Sequence, residues 1–342
     1  GRRGDYYTSV SVGNLFGQLL AFRFSDWVGD ILNQPRPAGR CHLVEAGAHR
    51  GELAHDILSW LNCHDSELFH RLEYWIVEPS ARRRQWQLER LAGFSDKVQW
   101  VASLSDLARQ LNSGVSGIML SNELLDAFPV HRFAWDATRR VWFEWGVGLE
   151  GGRFVWVQMR DSTVPSSRFP GLGPEWASPK AVGLGALCEV LPDGFTVEVS
   201  PTATRWWREA AGLLRTGKLM TIDYGFTFEE RFRPERAAGT LRAYSRQQVH
   251  ANVLERPGEQ DITAHTDLTA LQAAGEDSGL STQMLVSQAE FLVSIAKGIW
   301  DKPDCFGAWS PEQTRQFQTL THPEHLGRAF RVLVQGRSAG PR

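Results

Sequence analysis

Between Cys41 and Leu58 the chain reads CHLVEAGAHRGELAHDIL: a short apolar run, an acidic turn with two glycines, then a helix-like stretch. A buried strand that ends in such a turn and opens straight into a helix is the usual nucleotide-binding corner of a doubly wound α/β sheet. Small residues let the backbone approach a ligand, and the free N–H groups at the helix start can face a polar or negative group. Taken alone, the pattern fits an ordinary strand-to-helix turn equally well. A second acidic strand end changes the balance. Glu73-Tyr74-Trp75-Ile76-Val77-Glu78 is another apolar run, and Glu78 precedes a helical stretch from Ala81 to Leu91.

In folds of this type the carboxylate after the second strand accepts hydrogen bonds from ribose hydroxyls. The first turn lacks the full G-x-G-x-x-G, and Glu45 would repel a pyrophosphate. A cofactor that carries adenosine and an ammonium group but no phosphate suits both features, which points to S-adenosylmethionine and methyl transfer. The formal net charge of −2 gives no electrostatic footprint for nucleic acid, and none is expected as a partner. Cys41, Cys63, Cys188 and Cys305 are scattered without C-x-x-C spacing, so neither a disulfide nor a zinc framework is expected. His42, His49, His55, His64 and His70 show no evident carboxylate support, and no metal site is expected. No run approaches the roughly 20 apolar residues that span a bilayer. A cytoplasmic location is the expectation, with a mitochondrial one open if a targeting segment was removed.

Strands and helices alternate onward, as in a mostly parallel sheet. Lys97 to Ala102 reads as a strand, Ser103 to Leu111 as a helix, and Gly117 to Ser121 as a fourth strand closed by Asn122-Glu123-Leu124-Leu125-Asp126. His131 to Gln158 then alternates apolar and polar residues, with Gly146, Gly148, Gly151 and Gly152 between them, which predicts antiparallel hairpins. Residues 160 to 187 are rich in Pro, Gly and Ser and read as a long loop or lid. A helix from Thr202 to Leu214, a fifth strand from Gly217 to Gly225, a helix from Asp267, a strand near Ser281 to Val286 and a helix from Gln288 complete the wrap. The expected fold class is α/β, a Rossmann-like doubly wound sheet with an inserted antiparallel or lid region. The expected segments are 1–129 (entry segment and first half of the core), 130–198 (substrate-binding insertion) and 199–342 (second half of the core and C-terminal elements).

Several blocks carry a more specific resemblance. They are Gly4-Asp5-Tyr6-Tyr7-Thr8-Ser9 with Leu15-Phe16-Gly17, Asn122 to Val130, Ile222-Asp223-Tyr224-Gly225, Gly239 to Arg242 through Arg256 to His265, and Leu320-Thr321 to Val332-Leu333. They run in order almost end to end, and the chain resembles the MidA-like family of S-adenosylmethionine-dependent methyltransferases. The resemblance implies a class I methyltransferase fold with an inserted substrate region. Its mitochondrial member assists respiratory complex I assembly and is associated with methylating an arginine of a core subunit. A protein arginine is therefore the implied acceptor class. Two departures stand out. The family's first loop usually reads Glu-x-Gly-x-Gly-x-Gly, and His49 occupies the middle glycine position. In the entry segment, Val10-Ser11 replaces a Pro-Glu pair.

The chemistry distributes the remaining roles. Methyl transfer needs nucleophile, methyl and sulfur held in line at short range, and an arginine nucleophile needs carboxylates to orient its guanidinium. Glu123 and Asp126 stand at the right strand end, with helix capping as their ordinary alternative. Asn122 would use its carbonyl on the nucleophile or on the cofactor's amino group. Asp223 ends the fifth strand as a third carboxylate or a structural turn, and His265 is a general-base candidate or a packing residue. For the cofactor, Glu45, Gly47 and Gly51 would surround the methionine portion, Glu78 would take the ribose, and Ser103 or Leu104 would border the adenine. Thr8 and Asn122 complete that set. A small-molecule O- or N-acceptor, or a weakly catalytic assembly factor, stays open beside the arginine reading, and so does a homodimer.

Overall fold

The computed structural model describes residues 8–32, 40–159, 164–165, 190–245, 248–250, 252–302 and 306–338. The chain divides into two compact units. The larger comprises Tyr7–Leu124, Trp206–Tyr224 and Leu271–Arg342; the smaller is built around Leu125–Arg205 and Gly225–Ala270.

In the larger unit, β1 (Cys41–Ala46), β2 (Leu72–Val77), β3 (Val98–Val101) and β4 (Val115–Asn122) alternate with α2 (Glu52–His64), α3 (Ser66–Arg71), α4 (Ala81–Arg90) and α5 (Leu104–Gln110). β10 (Leu214–Phe226), β15 (Ser281–Ser287) and β16 (Phe330–Arg337) complete a sheet of order β15-β16-β10-β4-β1-β2-β3. Pairing is parallel from β3 through to β10, and β16 is antiparallel to both of its neighbours. All six residues of β1 are buried. Such runs arise where a sheet is covered on both faces, which is why they read as continuous apolar segments. α1 (Leu15–Leu32), α6 (Gln288–Trp300) and α7 (Pro311–Thr321) belong to this cover, with Phe16, Leu19, Leu20, Phe291 and Phe330 in one core with Leu43 and Ile118. A Cβ on Gly17 would lie 2.6 Å from Asp56 Cβ, so glycine sets how closely α1 approaches α2.

The smaller unit holds two antiparallel sheets. β5 (His131–Asp136), β6 (Val141–Glu150), β7 (Arg153–Gln158) and β9 (Thr196–Val199) order as β7-β6-β5-β9, with β8 (Val164–Pro165) pairing to β6. Their apolar face closes over Phe133, Trp135, Trp142, Phe195 and Val197. The expected hairpins are present, and Gly151 and Gly152 take the left-handed backbone of the β6–β7 turn at φ 55° and 77°. Gly146 and Gly148 are not turn residues but lie inside β6. A Cβ there would stand 2.3 Å from Met159 Sδ and 2.8 Å from Val157 Cγ1, so close cross-strand packing explains them. Apart from β8, the stretch 160–187 lies outside the described residues.

A second sheet, of order β12-β11-β13, unites β11 (Arg242–Ser245), β12 (Gln248–His250) and β13 (Asp261–Thr263). Strands of three or four residues are too short to show a period, so no local pattern announces them. β10 runs further than its apolar pattern indicates. Asp223 does not end it, because Gly225 and Phe226 pair in parallel with β14 (Thr266–Asp267) within the smaller unit.

Candidate functional site

Register brings the sequence-derived residues of the larger unit to one edge of its sheet. Ala46 stands opposite Val77 and Ser121, Val77 opposite Val101, and Asn122 opposite Ile222. The next positions are therefore Gly47, Glu78, Asn122 and Asp223, all beyond the carboxyl ends of parallel strands, where open α/β sheets bind ligands.

The first loop alternates left-handed backbone: Gly47 at φ 77°, His49 at 46° and Gly51 at 84°. His49 thus occupies a position of glycine geometry. Histidine tolerates it better than most residues, at a cost of about 1 kcal/mol. Gly47 is required twice over, since a Cβ would also sit 2.8 Å from Leu124 Cδ1. Glu45, at the end of β1, is 2% exposed and accepts a 2.7 Å hydrogen bond from the Tyr74 hydroxyl. Burial pushes its carboxyl up to about 7, against the pull of Tyr74. The Tyr74 hydroxyl is itself held well above its usual range by burial and by Glu45. Near pH 7 this side chain stands poised between acid and carboxylate, so it is less anionic than the sequence suggests.

Glu78 is 1% exposed; its Oε1 accepts from the Ser80 amide at 2.9 Å. Gln87 of α4, which sequence reasoning passed over, is buried beside it. Its Nε2 donates to the His49 carbonyl at 3.0 Å and lies 3.5 Å from Glu78 Oε2, while its Oε1 accepts from Trp100 Nε1 at 3.0 Å. At the end of β3, Ser103 caps α5: its hydroxyl accepts from the Asp106 amide and donates to the Asp106 carboxylate. Leu104 follows, buried.

The entry segment reaches the end of β4. Ser9, fully buried, donates from its amide to Glu123 Oε1 at 3.0 Å and from its hydroxyl to Gln288 Oε1 at 2.9 Å. Asn122 Nδ2 donates to the same Glu123 oxygen at 3.1 Å. The Glu123 amide donates to the Ile222 carbonyl, and its φ is 52°. A bulky residue held in that region stores strain of about 1–3 kcal/mol, which the surrounding contacts must sustain. Asn122 Oδ1 is buried and accepts no hydrogen bond among the described residues. Thr8 is engaged locally in reciprocal hydrogen bonds with Ser11. Asp223, fully buried, accepts from the Tyr224 amide at 2.9 Å. Ser9, Tyr74 and Gln87 are the additions that sequence could not supply, because each acts through a partner far away in the chain.

Two candidates belong to the smaller unit. Asp126 is buried in a 3₁₀ turn (Leu125–Ala127), and its carbonyl accepts from the Ala264 amide. The His265 amide donates to Thr240 Oγ1 at 3.0 Å. Burial, then the charges of Arg236 and Arg242, push its imidazole down to about 4, so it is neutral and weakly basic at pH 7. Among the described residues, no three His, Cys, Asp or Glu side chains converge for a metal ion. His42 does meet a carboxylate, Glu73, at 3.8 Å, a pairing not visible in the sequence because it crosses two strands.

These features suit an adenosine cofactor with a cationic amino-acid tail. A buried carbonyl oxygen without a donor among the described residues, a half-neutral carboxyl at the loop and a buried carboxylate one strand over match an ammonium group and a ribose. The comparisons agree. The model of a family described as S-adenosyl-L-methionine-dependent methyltransferase matches residues 24–286. Protein arginine methyltransferase NDUFAF7, mitochondrial, of Danio rerio is 25% identical, over 96% of this chain and 76% of its own length. The Mus musculus protein of the same name is 27% identical, over 96% and 74%. A crystal structure from Burkholderia thailandensis bound to S-adenosyl-homocysteine shares 28% identity with a TM-score of 0.77, over 100% of this chain and 82% of that one. No helix among the described residues is long and apolar enough to cross a membrane. The chain belongs to the MidA-like family of S-adenosyl-L-methionine-dependent methyltransferases, and S-adenosylmethionine is its cofactor.

Proposed function

From that membership, we propose that the chain methylates an arginine side chain of a protein. When bound, the cofactor supplies an electrophilic methyl group on its sulfonium. Glu45, the loop from Gly47 to Gly51 and the Asn122 side-chain carbonyl would hold its cationic tail, and Glu78 its ribose, with Ser103 or Leu104 at the adenine. The observation that carries the acceptor reading is Glu123: a carboxylate at the end of β4, held on strained backbone and oriented through one oxygen by Ser9 and Asn122. A desolvated guanidinium needs such a partner, because an unpaired buried charge is costly. Asp126 and Asp223 are the further carboxylate candidates. His265, kept neutral, can accept a hydrogen bond but is a poor proton acceptor near pH 7. The segment from Val130 to Glu198 would contribute acceptor binding. The names of the relatives support both the arginine and a mitochondrial site of action.

One observation favours a small-molecule acceptor instead. Where relatives place a carboxylate in the entry segment, Ser11 turns back onto Thr8. Incubating a cell extract with the enzyme and isotopically labelled S-adenosylmethionine, followed by mass spectrometry, decides between them. Label on arginine in protein supports the proposal; label confined to small molecules defeats it.

A further inference from the structure

Gln87 is a polar side chain with no exposure at all, in a helix whose other residues are mostly charged and solvated. Burying an amide is costly unless its hydrogen bonds are met. Here both ends are met, and their orientation follows from chemistry. The Trp100 indole N–H can only donate and the His49 carbonyl can only accept, so Oε1 must face the first and Nε2 the second. The second hydrogen on Nε2 is then directed to Glu78 Oε2, 3.5 Å away.

We infer that Gln87 is a positioning residue of the cofactor site, tying the His49 carbonyl of the first loop to the Glu78 carboxylate at the end of β2. The inference rests on reading Glu78 as the ribose acceptor. Two features of the loop make such a tether useful. His49 keeps a left-handed conformation that a side chain disfavours, and a hydrogen bond to its carbonyl helps hold it there. The loop also leans on α4 at this point, since a Cβ on Gly51 would stand 3.3 Å from Leu91 Cδ1 and 3.6 Å from Gln87 Cα. α4 and its C-terminal cap thus contact the loop through Gln87 and Leu91, and the start of the helix joins Glu78 through Ser80, whose amide Glu78 accepts, and Arg84, whose Nε donates to the Glu78 carbonyl at 2.6 Å. Gln87 makes one rigid element the reference for both halves of the site.

The test is calorimetry with S-adenosyl-homocysteine on the full chain. Gln87→Met keeps the length and removes the amide; Gln87→Glu keeps the shape and the acceptor for Trp100 but replaces the donor with an acceptor facing His49 and Glu78. Each variant should bind about tenfold more weakly, the equivalent of one lost hydrogen bond. Its effect should shrink in a Glu78→Gln background, because both act on the same ribose contact. Amides 47–51 should also exchange with deuterium faster in the cofactor-free variants, a local change that loss of general stability would not produce. Wild-type affinity in a folded Gln87→Met protein overturns the inference. So do losses at positions 78 and 87 that simply multiply. Wild-type affinity in Glu78→Gln overturns the ribose reading first, and the tether with it. If Gln87→Met does not fold, Gln87→Glu carries the same comparison.

Discussion

Buried carboxylates occur in both units, and they are satisfied differently. In the smaller unit Glu198 is engaged at both oxygens: its Oε2 accepts from the Thr240 amide at 2.7 Å and the Thr240 hydroxyl at 3.1 Å, and its Oε1 is ion-paired with Arg132 Nε at 3.5 Å without a hydrogen bond among the described residues. It clamps the turn at Gly239, whose φ is 77° and where a Cβ would sit 2.2 Å from Glu198 Oε1. In the larger unit Glu45 has a single hydrogen-bond donor, Tyr74, and the neighbouring Asn122 carbonyl has none among the described residues. A buried acid that meets a guanidinium and the donors of a turn does its work in the fold. One at a strand end, with a phenol hydroxyl but no cation beside it among the described residues, is prepared for a cationic ligand.

That contrast can be broken by mutation, and the largest effect should come from the acceptor side. Glu123→Gln preserves shape and removes charge, so transfer to an arginine peptide should fall by about a hundredfold while S-adenosyl-homocysteine affinity changes little. Full activity would move the assignment to Asp126 or Asp223. In the smaller unit, Glu198→Ala should cost about 3 kcal/mol in denaturant unfolding, because it strands Arg132 and the Thr240 donors; a loss below 1 kcal/mol would erase the distinction. Glu78→Ala should weaken S-adenosyl-homocysteine by about 1.5–3 kcal/mol with little effect on unfolding.

The Glu45 prediction concerns pH. Its carboxyl titrates near 7 in the folded chain, above the ordinary 4.5. A cationic ligand needs the ionised form, so affinity should plateau above pH 7 and fall by up to about tenfold per pH unit below it. Stability of the ligand-free chain runs the other way. The contribution of this group is complete below about pH 4.5 and is lost as pH rises through 7. Affinity that is flat between pH 8 and 5.5, read by calorimetry, would show that Glu45 pairs with no cation. The smallest effect belongs to His49→Gly, which should relieve left-handed strain and raise stability by about 1 kcal/mol, less the entropy glycine adds to the unfolded chain.

Legibility in the sequence followed the length of each signal. The strands of the larger unit were readable because burial on both faces leaves mostly apolar runs such as Cys41–Ala46 and Leu72–Val77. The acidic strand ends were readable because register places them in one row. What escaped was nonlocal or short. Gln87 reads as one more polar residue in ARRRQWQLER, and only the fold shows it meeting His49 and Trp100. Glu123 could be named from its place after β4, but the strain at φ 52° and the grip of Ser9, 114 residues earlier, could not. Likewise, nothing local announces that the end of β10 pairs with β14, because that partner strand has only two residues.

The position of β16 has a consequence for biosynthesis. This strand, Phe330–Arg337, lies between β10 and β15, both of which precede it in the chain. While a ribosome is still extending the polypeptide, β10 can already pair with β4, but its other edge stays bare and β15 has no neighbour in the sheet. Two unpaired strand edges therefore wait through the synthesis of α6 and α7, and such edges invite association between nascent chains. Synthesis halted before Phe330 would yield a chain with most of its apolar core assembled and its sheet unfinished, the kind of species that holding chaperones retain.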